Sequence, residues 1–140
     1  MARMSRLRPI PGLVVGALRG FAIAPLRSQI LPGVYWYISG IGVGLAGNLF
    51  ASMRNAERRD RFFLLASTLS FFASSICFLV TAVISEHVRQ EMQAMGITET
   101  SPGIVNEFFR KRLVKVAAAW FFILAALVAA AIGGCMALSH

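Results

Sequence analysis

An all-α integral membrane protein is what this sequence predicts: three transmembrane helices, the first two a tight antiparallel hairpin, preceded by an amphipathic helix at the membrane interface. Three observations carry that expectation. No charged residue stands between Arg27 and Arg54, between Arg61 and Glu86, or after Lys115. Each of these gaps exceeds the roughly 20 residues an α-helix needs to cross a hydrocarbon core. Hydrophobic residues make up 57% of the chain and charged residues only 14%, against about a quarter charged in an average soluble domain. Finally, six arginines precede the first acid, Glu57, as suits an organelle targeting signal, a segment resting on anionic lipid or an inner-side tail. The expected division is a basic interfacial segment, residues 1–31, and a three-helix membrane domain, residues 32–140. Its spans fall at about 34–53, 62–85 and 116–138, with a polar loop at 86–115.

Residues 1–31 are punctuated by Pro9, Pro11 and Pro25. Between the prolines, Ile10, Leu13, Val14, Ala17 and Phe21 recur at helical spacing, with Gly12, Gly16, Arg19 and Gly20 on the other side. That pattern fits a short helix lying on the membrane. A fourth crossing would require Arg19 to snorkel. A cleavable signal ending at Ala22-Ile23-Ala24 is disfavoured by Pro25 directly after it.

Leu31-Pro32-Gly33 is expected to break the chain before the first span, and Tyr35-Trp36-Tyr37 then supplies an interfacial aromatic belt. Within that span Gly40, Gly44, Asn48 and Ser52 stand four apart, with Gly47 and Ala51 on the same side. The face is nearly free of side chains and lets a second backbone approach closely. The turn at residues 54–61 is too short for anything but an antiparallel return, and its Arg54, Arg58, Arg59 and Arg61 are placed to meet head groups or an acidic partner. In the second span Ser67, Ser70, Ser74, Cys77 and Thr81 recur at spacings of three and four. This is a small polar seam at the period of left-handed packing. Phe71, Phe72 and Phe78 are expected to point away from it, toward lipid or a bulky partner. The seam reads as packing against the glycine face of helix one, or alternatively as the lining of a hydrated pore.

Residues 86–115 form the one sizeable polar segment. Helix two is expected to continue through residues 86–91 as a solvated extension carrying Glu86, His87 and Glu91. Gly96 then serves as a C-cap, residues 98–103 as a turn, and Ser101-Pro102 as a helix start. Helix three is expected to run unbroken from about residue 103 to 137, roughly 50 Å. Val105, Phe108, Phe109, Leu113 and Val116 share one face of it, while Arg110, Lys111, Arg112 and Lys115 meet head groups, as do Arg19 and Arg27. Trp120, Phe121 and Phe122 mark where it joins the membrane, and Ala126, Ala130 and Gly134 form its own small-residue stripe. Ten basic residues lie on the side of the N-terminus and the 86–115 loop, and four in the 54–61 turn. Counting Lys and Arg therefore places the N-terminus inside and the C-terminus outside.

The chemistry that is missing narrows the function. No Asp, Glu, Lys, Arg or His lies within the three spans, whereas pumps, proton relays and most ion-coupled transporters need such groups at membrane depth. No Cys/His spacing suits zinc or iron–sulfur, and no histidine within a span is available to hold a haem. Cys77 and Cys135 lie at depths that differ by roughly 15 Å, too far for a disulfide. The scattered arginines form no nucleic-acid module. No catalytic, cofactor or metal site is expected, and the one companion molecule the basic residues would suit is a structural phospholipid such as cardiolipin.

Gly40-Ile41-Gly42, Gly47, Asn55 and Glu57-Arg58-Arg59 are similar, in register, to the single-span region of GRIM-19-type accessory subunits of mitochondrial complex I. In that family a glycine-bearing helix likewise leaves the membrane into a basic Asn-x-Glu-Arg-Arg run. The family continues into a long polar helical region, whereas this chain turns back into the membrane at Phe62. The resemblance implies a non-catalytic accessory subunit of a respiratory complex, without assigning a functional residue. Together these features lead us to expect an accessory or structural subunit of a large energy-transducing complex in the inner mitochondrial membrane, either a respiratory-chain complex or an ATP synthase. Other membrane subunits and anionic lipids would be its partners, with the N-terminus in the matrix and the C-terminus in the intermembrane space. The alternative is a homo-oligomeric small channel or transporter, with the hydroxyl seam lining its pore.

Overall fold

The computed structural model describes residues 10–27, 31–97 and 102–139. Over these the chain is helical, with no strand: α1 (Ile10–Arg27), α2 (Leu31–Ser52), a 3₁₀ turn at Met53–Asn55, α3 (Arg58–Ala94), α4 (Pro102–Arg110) and α5 (Leu113–Leu138). Three stretches are long and apolar enough to cross a membrane, namely Leu31–Asn55, Arg58–Ala94 and Leu113–Leu138. The N-terminal residues through Pro9, including Arg3, Arg6 and Arg8, lie outside the described residues, as do residues 98–100, Ser101 and His140.

The central element is α3, flanked by α2 on one side and α5 on the other. Its length follows from composition: residues 62–85 carry no charge and no Gly or Pro to interrupt the ladder. At 1.5 Å per residue its 37 residues extend roughly 55 Å, well beyond a core of about 30 Å. Residues 86–94 therefore stand outside the apolar layer. The helix stops where Gly96 takes a left-handed φ of 67°. The Ile97 amide donates to the Met92 carbonyl and the Gly96 amide to the Gln93 carbonyl, the paired closure that a C-terminal glycine permits.

Along α3, Leu64, Ser67, Ser74, Phe78, Thr81, Ser85, Val88 and Met92 are buried, and Phe71 half-buried. Their spacing alternates three and four, with Phe71 completing the series, as in left-handed knobs-into-holes packing. On α5 the matching residues are Ala119, Ala126 and Gly133, seven apart and all buried. The α2 side of α3 is met by Tyr35, Ser39 and Ala46, again buried, and by Gly42 between them. Ser39 pairs with Ser75 and Tyr35 stacks on Phe78 at 6.5 Å, so α2 and α3 run antiparallel. The pairs Ser67–Gly133 and Ser74–Ala126 make α3 and α5 antiparallel as well.

Several expectations are corrected. Leu31-Pro32-Gly33 is not a break but the first turn of α2, where the missing proline N–H has no intrahelical partner to lose. Phe78 does not lie away from the seam: it shares the buried strip with Ser74 and Thr81, and of the two expected surroundings it meets the bulky one, packed with Tyr35. Phe71 is half-buried against Gly133, and of the three phenylalanines only Phe72 is well exposed. The helix expected from residue 103 to 137 is interrupted at Lys111–Arg112, where Arg112 leaves helical geometry with φ −124° and ψ 35°. The bend lets Val105, Phe108 and Phe109 bury against Ile23, Leu26, Val88 and Met92. Burying such side chains is worth about 1.5–3 kcal/mol each outside the apolar layer, more than the one or two helical hydrogen bonds, about 0.5–1.5 kcal/mol apiece, that the bend gives up. Leu113, expected on the same buried face, is exposed instead.

Within α1, Val14, Val15, Leu18 and Phe21 are exposed, while Ile23, Pro25 and Leu26 are buried. Only the C-terminal part of α1 docks. Tyr35 Oη donates to the Pro25 carbonyl at 3.1 Å and Trp120 Nε1 to the Ala22 carbonyl at 2.7 Å.

Glycine substitutions separate the packed face from the open one. A Cβ at Gly42 would overlap Ser75 Oγ, and one at Gly133 would lie 3.1 Å from Phe71 Cδ2, whereas Gly44 and Gly47 have nothing within 4 Å. Gly42→Leu and Gly133→Leu are expected to destabilise the isolated chain by about 1–3 kcal/mol or more through overpacking. Gly44→Leu and Gly47→Leu should leave it nearly unchanged. Unfolding the four variants in mixed micelles would check the contrast, and equal losses in all four would refute the assignment of faces.

Candidate functional site

Two surfaces carry what the fold offers: the small-residue faces of the three long helices, and the charged end where α1, the tail of α3, α4 and the start of α5 meet.

Three of the four hydroxyls in the α3 seam are hydrogen-bonded within the chain. Ser67 Oγ donates to the Gly133 carbonyl at 2.7 Å and Ser74 Oγ to the Ala126 carbonyl at 2.8 Å. Thr81 Oγ1 returns to the Cys77 carbonyl at 3.0 Å. Ser67 and Thr81 are 0% exposed; Ser70 and Cys77 are half-buried at the edge of the same strip. The strip faces α5, not the glycine face of α2 as expected. Ser85, also buried, has no hydrogen-bond partner among the described residues. On α5, Ala126 is buried in the contact, while Ala130 and Gly134 are half-buried and Gly134 has nothing near its Cβ position. The close approach comes one residue earlier, at Gly133.

The glycine face of α2 takes no part in this packing. Gly40, Gly44, Gly47 and Asn48 are all exposed. The chain's own contact uses the neighbouring strip Tyr35, Ser39, Gly42 and Ala46, with Ser39 Oγ donating to the Ser75 carbonyl at 2.9 Å. Gly40, Gly44 and Gly47 thus leave a bare trough on the outer surface of α2, bordered by the exposed side chains of Ile41 and Val43.

At the charged end, Glu91 is the focus. Its carboxylate pairs with Arg112 Nε at 2.5 Å, with the Lys115 ammonium, and with His87 Nε2 at 2.9 Å. The Arg112 guanidinium also lies over the Phe108 ring at 3.8 Å and reaches the Phe108 carbonyl at 3.3 Å. The hydrogen bonds from Lys115 and then Arg112 hold the Glu91 carboxyl far below its ordinary 4.5, at about 2. Glu86 is likewise lowered, chiefly by its hydrogen bond from Arg89. Arg112 and Lys115, expected at the head groups, are therefore half-buried and spoken for, and Glu91 is not a merely solvated residue. Arg19, Arg54, Arg58, Arg59, Arg61, Arg110 and Lys111 are exposed, Arg27 half-buried; Arg61 Nε caps the Ala56 carbonyl at 2.8 Å.

Beside this cluster, α1 and α4 leave a groove of about 510 Å³ that runs down to the first turn of α5. Arg19, Arg110 and Asn106 stand among its polar lining, and Ile23, Phe109, Leu113 and Val116 among its apolar lining. Glu107 also borders it, with Lys111 at 3.8 Å.

Cys77 and Cys135 are free thiols. Among the described residues no group of three or more His, Cys, Asp or Glu side chains is placed to hold a metal ion. Comparison of the chain with protein-family models, with curated proteins and with solved structures finds no match.

Sequence reasoning missed Ser39, Gly42, Ala46, Ala119 and Gly133, although each series keeps to a three-four or a seven-residue period. It also missed the role of Glu91: His87 is a local partner, but Arg112 and Lys115 stand 21 and 24 positions away and leave no local signal.

Glu91 gives the end of the bundle a defined acid sensitivity. A carboxylate whose folded value is depressed contributes stability that is present above its ordinary pKa and lost as pH falls toward the folded value. The thermal stability of the detergent-solubilised chain should therefore drop between pH 4.5 and about 2. Glu91→Gln should be less stable at neutral pH and show a shallower drop, with the contribution of Glu86 retained. Parallel melting curves for the two proteins across that range would reveal an identical slope if Glu91 were an idle surface charge.

Proposed function

We propose that this protein is a non-catalytic accessory subunit of a large energy-transducing membrane complex, a respiratory-chain complex or an ATP synthase, to which it contributes helix packing, assembly and stability. One observation carries the reading: α2 has two small-residue strips, and the chain uses only one. The strip through Ser39, Gly42 and Ala46 closes on α3, while Gly40, Gly44 and Gly47 remain bare on the outside. In lipid, where no hydrophobic force gathers helices, close backbone approach at small residues is the main source of association. An unused strip of that kind suits a helix of another subunit. Spans without an ionisable group suit a packing role better than ion transfer. A pore lined by the α3 seam is disfavoured by the burial of Ser67, Ser74 and Thr81 and by the hydrogen bonds their hydroxyls already make.

The likeness of residues 40–59 to GRIM-19-type subunits supports the inner mitochondrial membrane as the location. The excess of basic residues on the side of the N-terminus and the 86–115 loop supports a matrix-facing N-terminus. Exposed arginines at both ends suit anionic lipid head groups or acidic partner surfaces.

The test is assembly in native membranes. Solubilised in mild detergent, the wild-type chain should migrate far above its own 15.2 kDa together with heterologous subunits, whereas Gly44→Leu, which leaves the isolated fold intact, should fall out of that band. Migration of the wild type as a small multiple of itself, or undiminished incorporation of Gly44→Leu, would refute the proposal.

A further inference from the structure

The groove between α1 and α4 has the build of a site for one amphiphile. We propose that it binds a single anionic phospholipid, the phosphate held by Arg19 and Arg110 and an acyl chain laid along Ile23, Leu113 and Val116. This inference rests on the membrane character of the long helices and is independent of any partner subunit.

Its position sets the depth. The groove opens at the first turn of α5, immediately after the charged bend at Arg112 and one to two turns before Trp120. Trp120 pairs with Phe21 of α1 at 5.1 Å, the kind of aromatic pair that sits at head-group level. The groove therefore lies at head-group level, with its Val116 end one turn from Trp120. Its volume of about 510 Å³ falls within the roughly 300–1,000 Å³ typical of pockets that enclose a small ligand.

Charge selects the class of lipid. Of the ionic groups around the groove, Glu107 has Lys111 as its counter-ion. Arg19 and Arg110 are exposed, and no ion pair to either is present among the described residues. Two guanidiniums lining one groove, neither in an ion pair among the described residues, match a phosphodiester that carries net negative charge, since guanidinium and phosphate form paired, charge-assisted hydrogen bonds. A choline head group would bring a cation to the same rim. The Asn106 amide supplies a further donor beside the ester oxygens. The floor selects a lipid over free phosphate: Phe109 and Val116 are buried and Leu113 is 64% exposed, an apolar wall that an inorganic ion leaves uncovered and an acyl chain would cover.

Native mass spectrometry of the purified full-length chain in detergent tests this directly, with phosphatidylglycerol, phosphatidylcholine and inorganic phosphate as the added probes. The wild type should retain one phosphatidylglycerol with at least about tenfold preference over phosphatidylcholine, and inorganic phosphate should neither bind nor displace it. Arg19→Gln/Arg110→Gln should abolish that preference while keeping the wild-type circular dichroism and melting point. Arg58→Gln/Arg59→Gln, at the opposite end of the bundle, should keep it. Leu113→Gln, which leaves both arginines in place, should weaken retention of the lipid. The proposal is overturned if the Arg19/Arg110 double variant binds as the wild type does. It is equally overturned if the Arg58/Arg59 variant loses binding to the same degree, which would mean diffuse surface attraction, or if phosphate competes as well as the lipid.

Discussion

A helix in a bilayer gains nothing by hiding a leucine, because the surrounding tails are as apolar as the partner it would hide against. Cohesion within the spans must come from atoms brought closer than ordinary side chains allow and from hydrogen bonds that lipid cannot supply. The contacts of α3 follow that constraint. It meets α5 through Ala119, Ala126 and Gly133 and meets α2 through Gly42 and Ala46, so that bulky groups such as Phe71 and Phe78 can rest on the neighbouring backbone. Three serine hydroxyls, from Ser39, Ser67 and Ser74, then bridge to carbonyls of the adjacent helices. Each such bond contributes only about 0.6 kcal/mol on average in a membrane, so it is their spacing along the whole contact that fixes register.

Beyond the apolar layer the balance reverses. Water is available there, and burial of Val105, Phe108 and Phe109 beside Val88 and Met92 acts with its full aqueous force. This part of the molecule resembles a small soluble core capped by an ion cluster. Two different solvents thus produce two different kinds of packing along one helix, and the change falls on α3 between Ser85 and Val88, where serine gives way to valine and methionine in the same heptad positions.

Much of this was legible in the sequence. Uncharged gaps revealed the three long helices because charge at membrane depth is so costly that its absence is informative. Gly96 announced the end of α3, since a positive φ there admits little else. The polar half of the α3 strip, Ser67, Ser74 and Thr81, was visible from its period. Its other half was not: Phe71 and Phe78 look like lipid-facing residues until Gly133 and Tyr35 are known to lie opposite. For the same reason the choice between the two strips of α2 could not be made from α2. Both are small, and which one packs is decided by Ser75 and Ala82 on the other helix. The bend at Arg112 was hidden more deeply, because every residue from 103 to 116 can be helical and only the tertiary pull of Glu91 and of the α1 side chains separates α4 from α5.

The docking of α1 has a mechanical meaning for the rest. Through Pro25 it holds Tyr35 of α2, through Ala22 it holds Trp120 of α5, and through Ile23 and Leu26 it rests on the tail of α3. Those three helices stand side by side with α3 in the middle, so α1 acts as a crossbar that fastens all three at one rim. The opposite rim, with the 3₁₀ turn at Met53–Asn55 and the C-terminal end of α5, has no crossbar among the described residues. There the short turn that joins α2 to α3 ties those two helices, so it is the C-terminal end of α5 that is held by side-to-side contact alone, through Ser67 and Gly133.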